Sequence, residues 1–425
     1  MKYYSTKNKG LSKSFREAVI EGLPSDNGLF MPEFIPELPE DYFDNIKEKT
    51  IQEIAFDILQ PFVKEDLDDL QLKKIVEKTF SFELPIKKIE GDNYALELFH
   101  GPSYAFKDVG ATFLALCLEE FYKEAEEKCT ILVATSGDTG GAVASAFSKV
   151  KNIEVVILYP SGKVSDLQEK QLTTFDKNVK ALEVEGDFDD CQQLVKKAFL
   201  DSDLRKQLNI SSANSINVAR FLPQMVYYFA PFIKFGKEPL TIAVPSGNYG
   251  NLTAGLIAQK MGLPVRQFVA AANSNDVVPR FLIDGNYDPK PTVQTISNAM
   301  DVGNPSNFQR MIDLFDEKEI REKIKGFAFS DEATLEAMKT VYREHEYLLD
   351  PHGAVGYLAL KEYLNASDGI SILLETAHPC KFMDVVSKII SDDIYPAGAK
   401  ELMQKEKKSV KMKVDYKQFK EFLVG

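Results

Sequence analysis

The sequence predicts an α/β protein: two open, mainly parallel, doubly wound sheets with a ligand held between them, preceded by a small N-terminal helical subdomain. Three observations carry this. Short apolar strands alternate with helical segments from residue 92 onward, as in TILVA (130–134), EVVIL (154–158), PLTIAVP (239–245), VRQFVAAA (265–272) and GISILLETAHP (369–379). These strands are apolar throughout rather than alternately, which is the pattern of parallel sheets covered by helices on both faces. Two of them run into glycine-rich turns that open helices, TSGDTGG (135–141) and SGNYGN (246–251). Ligands of open α/β sheets lie at such strand ends.

Taken in order, residues 1–91 form the lead-in. Phe15, Val19 and Ile20 give a short amphipathic pattern, and residues 41–80 place apolar side chains at helical period among mixed charges. Between them GLPSDNGLFMPEFIPELP (22–39) is an extended, proline-punctuated loop. Residues 92–236 form a smaller α/β domain and residues 237–425 a larger one. The strand Tyr94–Phe99 turns into a helix from Asp108, with strands at 154–158 and 179–184 and a helix at 189–200 following. Helical segments continue to about residue 236. The lysine-rich tail from Met403 reads as a surface helix or strand.

Composition removes several function classes. The 425 residues carry a net charge of −13, so nucleic acid and anionic membrane surfaces are not expected partners. No apolar run approaches the roughly 20 residues of a membrane span, and MKYYSTKNKG lacks the apolar centre of a signal peptide. The four cysteines, Cys117, Cys129, Cys191 and Cys380, show no CxxC spacing, which fits reduced thiols in a cytoplasmic protein. The four histidines form no metal-ligand cluster.

The chemistry centres on LFHGPSYAFKDVG (98–110). Lys107 sits where a buried strand turns into a helix, and a lysine shielded there can lose its proton and attack a carbonyl. SGNYGN has Gly247 and Gly250 to bring backbone N–H groups close to an anion at a helix N-terminus, the two glycines being read as positions of positive φ. It matches neither GxGxxG nor the phosphate loop GxxxxGK[ST], so one compact phosphate suits it better than a dinucleotide. TSGDTGG offers hydroxyls from Thr135, Ser136 and Thr139 and amides for a carboxylate, with Asp138 at the helix start as a possible cap. Thr376, at the end of the last strand, offers a hydroxyl to a ring nitrogen. Arg220 and Lys163 are candidate cations for a substrate phosphate, Asn214 clusters beside Arg220 in SANSINVAR, and His378 is the histidine placed near the site. A lysine, a monophosphate cradle, a carboxylate loop and a hydroxyl for a ring nitrogen together describe a pyridoxal phosphate enzyme acting on an amino acid.

FHGPSYAFKD, VATSGDTGGAVASAF, VILYPSGK, GDFDDCQQLV, SANSINVAR, VPSGNYGNLTAGL, NAMDVGNPSN and TAHPCKF resemble the threonine synthases of the tryptophan-synthase β fold type, in their longer bacterial and fungal form. The resemblance implies pyridoxal 5'-phosphate as cofactor, carried by Lys107 as a Schiff base. It implies a phosphate cradle from Ser246, Gly247, Asn248, Tyr249, Gly250 and Asn251, and Thr376 at the pyridine nitrogen. Asp138 stands where related enzymes often carry Asn near the ring hydroxyl. Ser103, Thr135, Ser136, Gly137, Thr139, Lys163, Asn214 and Arg220 fall to the substrate. That substrate is implied to be O-phospho-L-homoserine, converted with water to L-threonine and phosphate at the last step of threonine biosynthesis, by a monomer or homodimer. The alternatives on this fold are a dehydratase or a lyase that stops after elimination and releases ammonia with a 2-oxo acid.

Overall fold

The computed structural model describes all residues except 126, 176–177 and 365–368. Two larger sheets carry the molecule. A six-stranded sheet runs in the order Ile324–Ala328, Val265–Ala272, Leu240–Pro245, Ser371–Glu375, Asn93–Glu97 and Ile86–Glu90. Its neighbours are parallel apart from the last pair, an antiparallel hairpin. A five-stranded parallel sheet runs Val410–Met412, Val179–Val184, Ile153–Pro160, Cys129–Ala134, Asn209–Ser212. Every residue of Cys129–Ala134 and of Leu240–Pro245 is buried, as expected of central strands covered on both faces.

Sheet membership departs from the linear division at 91/92 and 236/237. Asn93–Glu97, just before the Lys107 loop, pairs with Ser371–Glu375 in the larger sheet, and the tail strand Val410–Met412 adds an edge to the smaller one. Each sheet therefore takes a strand from across the linear division, because pairing is decided by which apolar edges meet and not by proximity in sequence. The lead-in is also less helical than its periodicity suggests. Tyr3–Ser5, Asn8–Lys13 and Phe30–Pro32 form a three-stranded antiparallel sheet, followed by the helices Ile51–Val63 and Asp69–Thr79. Both helices begin with reciprocal capping boxes, Thr50 with Glu53 and Asp68 with Gln71.

Two strand ends decide where a ligand sits. Leu240–Pro245 has Val265–Ala272 on one side and Ser371–Glu375 on the other, while Cys129–Ala134 is flanked by Ile153–Pro160 and Asn209–Ser212. From these strands the chain passes to Val265–Ala272 and to Ile153–Pro160, and ligands of open α/β sheets lie at such carboxyl ends. The two glycine-rich turns begin at these ends.

One buried cation ties the lead-in to this crevice. Arg310 is fully buried. Its guanidinium donates to the carbonyls of Phe30, Ser215 (3.0 Å) and Ile216 (2.7 Å) and lies 4.1 Å over the Phe221 ring. Carbonyl acceptors, the Asn307 side-chain oxygen and a ring face hold this charge, and burial pushes its pKa down to about 9.

Candidate active site

Lys107 opens the helix Lys107–Phe121. The loop before it is laced to the last strand of the larger sheet. The Leu98 N–H donates to the Glu375 carbonyl at 2.9 Å, the Phe106 N–H to the Thr376 carbonyl at 2.8 Å and the His378 N–H to the Tyr104 carbonyl at 3.0 Å. Lys107 and Thr376 are thereby held on the same wall of a cavity between the sheets. The Lys107 side chain is 16% exposed. Burial pushes its pKa down, and the nearby Lys381 and Arg220 charges add to this while Asp138 opposes it. A lysine so placed reaches its neutral, nucleophilic form more readily.

On the facing wall, Ser246–Asn251 leads into the helix Gly250–Lys260. The positive φ expected of the glycines falls instead on Tyr249, at 59°, the residue just before the helix N-terminus. Gly247 serves close approach: a Cβ there would lie 2.8 Å from Met300 Cα and 2.9 Å from the Ala299 carbonyl oxygen. Asn248 anchors the turn by accepting from the Ser306 N–H (3.2 Å) and hydroxyl (3.1 Å). Tyr228 donates to Asn251 Oδ1 at 2.7 Å, leaving Asn251 Nδ2 buried without a partner. Arg220 Nε is also buried and unpartnered, and both residues line the cavity. Unpaired donors inside a polar cavity fit anionic groups such as phosphates, which would satisfy them.

The third wall is TSGDTGG. Thr135 Oγ1 accepts from the N–H groups of Gly137 (3.0 Å) and Gly140 (2.9 Å), so this hydroxyl shapes the turn as well as lining the cavity beside Ser136 and Thr139. Gly137 has φ 133° and lies against the Gln168 side chain. Asp138 is not a simple helix cap. Its Oδ1 accepts from Lys381 Nζ and from Gln168 Nε2, each at 2.9 Å, and its Oδ2 lies 3.7 Å from Lys107 Nζ. Burial alone would raise the Asp138 pKa, but the Lys381 and Lys107 ammonium groups reverse this and hold it well below the usual carboxylate range. Gln168 is pre-oriented: its Oε1 accepts from the Ser165 N–H in a capping box, which turns its Nε2 toward Asp138.

Asn214 and Arg220 line the cavity as expected from the sequence. Four residues do not, Gly137 among them, since it lies against the Gln168 side chain. Lys163 is exposed on the turn after Ile153–Pro160, outside the cavity. Ser103 is buried behind the wall, where its N–H donates to Asp108 at 2.9 Å and its carbonyl accepts from Lys381 at 2.8 Å. His378 caps the short helix Pro379–Phe382 by accepting the Cys380 N–H at Nδ1, with Phe99 packed 5.2 Å away. The histidine that reaches the cavity is His352, with Asp301, Ser215, Gln224 and Phe188 as further lining residues. His352 Nε2 accepts the Ala299 N–H at 3.2 Å while Nδ1 meets the Asp350 carboxylate. The Asp350-Pro351 opening of its helix, an N-cap followed by proline at the first turn, was the available sequence signal.

Burial lowers the His378 pKa from 6.5 to about 4, with His100 adding to the shift. The folded state then binds fewer protons than the unfolded chain between those values, so stability is full above 6.5 and falls as pH drops toward 4. The predicted loss is about 3 kcal/mol. His378→Asn, which keeps an acceptor for the Cys380 N–H, should flatten the slope of unfolding free energy against pH across this window. An unchanged slope in urea titrations would refute the assignment.

The arrangement is that of an α/β enzyme of the pyridoxal-phosphate-dependent class, and residues 83–374 match the family described as "Pyridoxal-phosphate dependent enzyme". Residues 2–80 match "Threonine synthase N terminus" and residues 353–423 match "Threonine synthase, C-terminal". The threonine synthase of Serratia marcescens is 45% identical over 398 residues, covering 93% of this chain and 92% of that protein. The crystal structure of threonine synthase from Escherichia coli superposes with a TM-score of 0.94 at 40% identity, covering 100% of this chain and 99% of the other. The pyridoxal-phosphate-bound threonine synthase from Brucella melitensis gives 0.92 at 33% identity, covering 100% and 99%. The chain belongs to the threonine synthase family.

Proposed function

We propose that this cavity converts O-phospho-L-homoserine and water to L-threonine and inorganic phosphate, with Lys107 as the residue that carries the cofactor and then moves protons. The observation that carries the assignment is the position of one partly desolvated amine, Lys107, across from a turn that leaves buried donors unpaired. The N–H groups of Ser246–Asn251 with Asn251 Nδ2 hold the cofactor phosphate, and the Thr376 hydroxyl meets the ring nitrogen. Bound pyridoxal phosphate supplies an electron-accepting π system next to the substrate's Cα. Lys107 removes the Cα proton once its amine is free. Arg220 and Asn214 bind the substrate phosphate, and the amides of the Thr135–Thr139 turn bind its carboxylate. Phosphate leaves Cγ with the C–O electrons after a Cβ proton is lost; one proton is then added at Cγ and one returned to Cα, while water gives its hydroxyl to Cβ and its remaining proton to the released phosphate. A hydroxyl at the ring nitrogen, unlike a carboxylate, does not hold that nitrogen protonated, which suits elimination and addition.

Purified protein supplied with pyridoxal phosphate and O-phospho-L-homoserine should release threonine and phosphate in equal amounts. Phosphate accompanied by 2-oxobutyrate and ammonia would move the chain to a lyase that stops after elimination.

A further inference from the structure

Asp138 sits between two lysines, and only one of them faces the cavity. Lys381 comes from the short helix after Thr376, Asp138 from the turn of the smaller sheet, and Ser103 from the loop that delivers Lys107. The Lys381 side chain is 0% exposed. Its ammonium has three partners: Asp138 Oδ1 at 2.9 Å, Gln171 Oε1 at 2.9 Å and the Ser103 carbonyl at 2.8 Å. Gln171 Nε2 donates to the same Ser103 carbonyl at 2.8 Å, which fixes the acceptor that Lys381 uses. Lys381 thus has every hydrogen engaged and no route into the cavity, whereas Lys107 lines it and meets Asp138 at 3.7 Å.

We propose that Lys381 is a positioning residue: its ammonium, with Gln168, fixes Asp138 as a carboxylate whose free oxygen orients the Lys107 amine and sets how readily that amine loses its proton. Burying two charges is a poor route to stability, so such a pair calls for another role. Asp138 also opens the helix Asp138–Phe147, where the dipole favours its negative charge. With Lys381 present, the carboxylate is shared between two cations and only part of its pull falls on Lys107. The other charged or titratable groups acting on this pair are Arg220 on Lys107 and His352 on Asp138, with buried Asp108 beside Ser103.

The inference rests on Lys107 carrying the cofactor, and the test separates the two. In the full-length protein freed of cofactor, the reactivity of Lys107 toward a small amine reagent is followed against pH by peptide mass spectrometry. Lys381→Met leaves Asp138 wholly to Lys107. The titration midpoint should move up by about one pH unit, and reactivity below the midpoint should drop about tenfold. Asp138→Asn removes the counter-charge and should move the midpoint down by a similar amount, the opposite sign. The double variant should return close to wild type, and Lys381→Arg, which keeps the charge, should barely move. A folded Lys381→Met protein with an unmoved midpoint overturns the inference, as does a shift of the same sign in both single variants. Should Lys381→Met fail to fold, the sign of the Asp138→Asn shift decides alone. Borohydride reduction of the cofactor-loaded wild type tests the underlying reading: a pyridoxyl adduct away from Lys107 refutes it, whereas an adduct on Lys107 with no midpoint shift refutes only the role of Lys381.

Discussion

Lys107→Ala should fold normally, bind pyridoxal phosphate weakly and non-covalently, and lose threonine formation by at least about 10²- to 10⁴-fold. That range is the usual contribution of a single proton-transferring group, and loss of covalent attachment adds to it. The fold should survive because the residue's backbone only begins the helix Lys107–Phe121, while the loop before it is held by N–H donors from Leu98, Phe106 and His378 that do not involve its side chain. Truncation also leaves Asp138 its stronger partners, Lys381 and Gln168, both at 2.9 Å. Threonine and phosphate should fall together, since both depend on the same first proton removal. A Lys107→Ala protein that kept more than a tenth of wild-type turnover would eliminate the role given to this amine. Phosphate release that persisted without threonine would instead show that elimination proceeds by another base.

What could be read in advance follows from how local each feature is. The turns 135–141 and 246–251 were legible because a strand, a glycine-rich turn and a helix are all written within about a dozen consecutive residues. Asn209–Ser212 was not legible: NISS is short and polar, and it becomes a strand only because Cys129–Ala134 offers it an edge. Lys163 and Arg220 had equal standing as phosphate cations in the sequence. The structure separates them by burial, since Arg220 is packed beneath the helix at Gly110, where a Cβ would come 2.4 Å from the Arg220 carbonyl oxygen. Lys381 lies within TAHPCKF, where nothing local signals its role. Its partners Ser103, Asp138 and Gln171 come from three separate segments, and no periodicity records such a meeting. His378, two residues from Thr376, would share its face on a continuous strand, but the chain turns there into Pro379–Phe382 and His378 caps that turn outside the cavity.

Gly247→Ala tests the cofactor turn by space alone. Gly247 has no positive φ, so alanine can adopt its backbone conformation and the usual conformational explanation for a glycine does not apply. The obstacle is that the added methyl would stand 2.8 Å from Met300 Cα and 2.9 Å from the Ala299 carbonyl oxygen. Both are backbone atoms, and they cannot rotate away as a side-chain tip can. The Ala299–Met300 segment is itself pinned, by the Ala299 N–H to His352 and by the Met300 N–H to the Ser297 carbonyl at 2.9 Å. Since neither partner yields readily, the turn must move, and its N–H groups lose their convergence on the phosphate. Such overpacking typically costs about 1–3 kcal/mol, which corresponds to roughly five- to 150-fold weaker phosphate binding. Affinity for pyridoxal phosphate, and separately for pyridoxal without its phosphate, distinguishes this from general damage: the first should weaken and the second should change little. Gly10→Ala, where the nearest atom to the new methyl is the exposed Asn8 side chain at 3.2 Å, serves as the control and should leave both unchanged. Equal weakening of both ligands by Gly247→Ala would show that the turn supports the cavity as a whole and does not single out the phosphate.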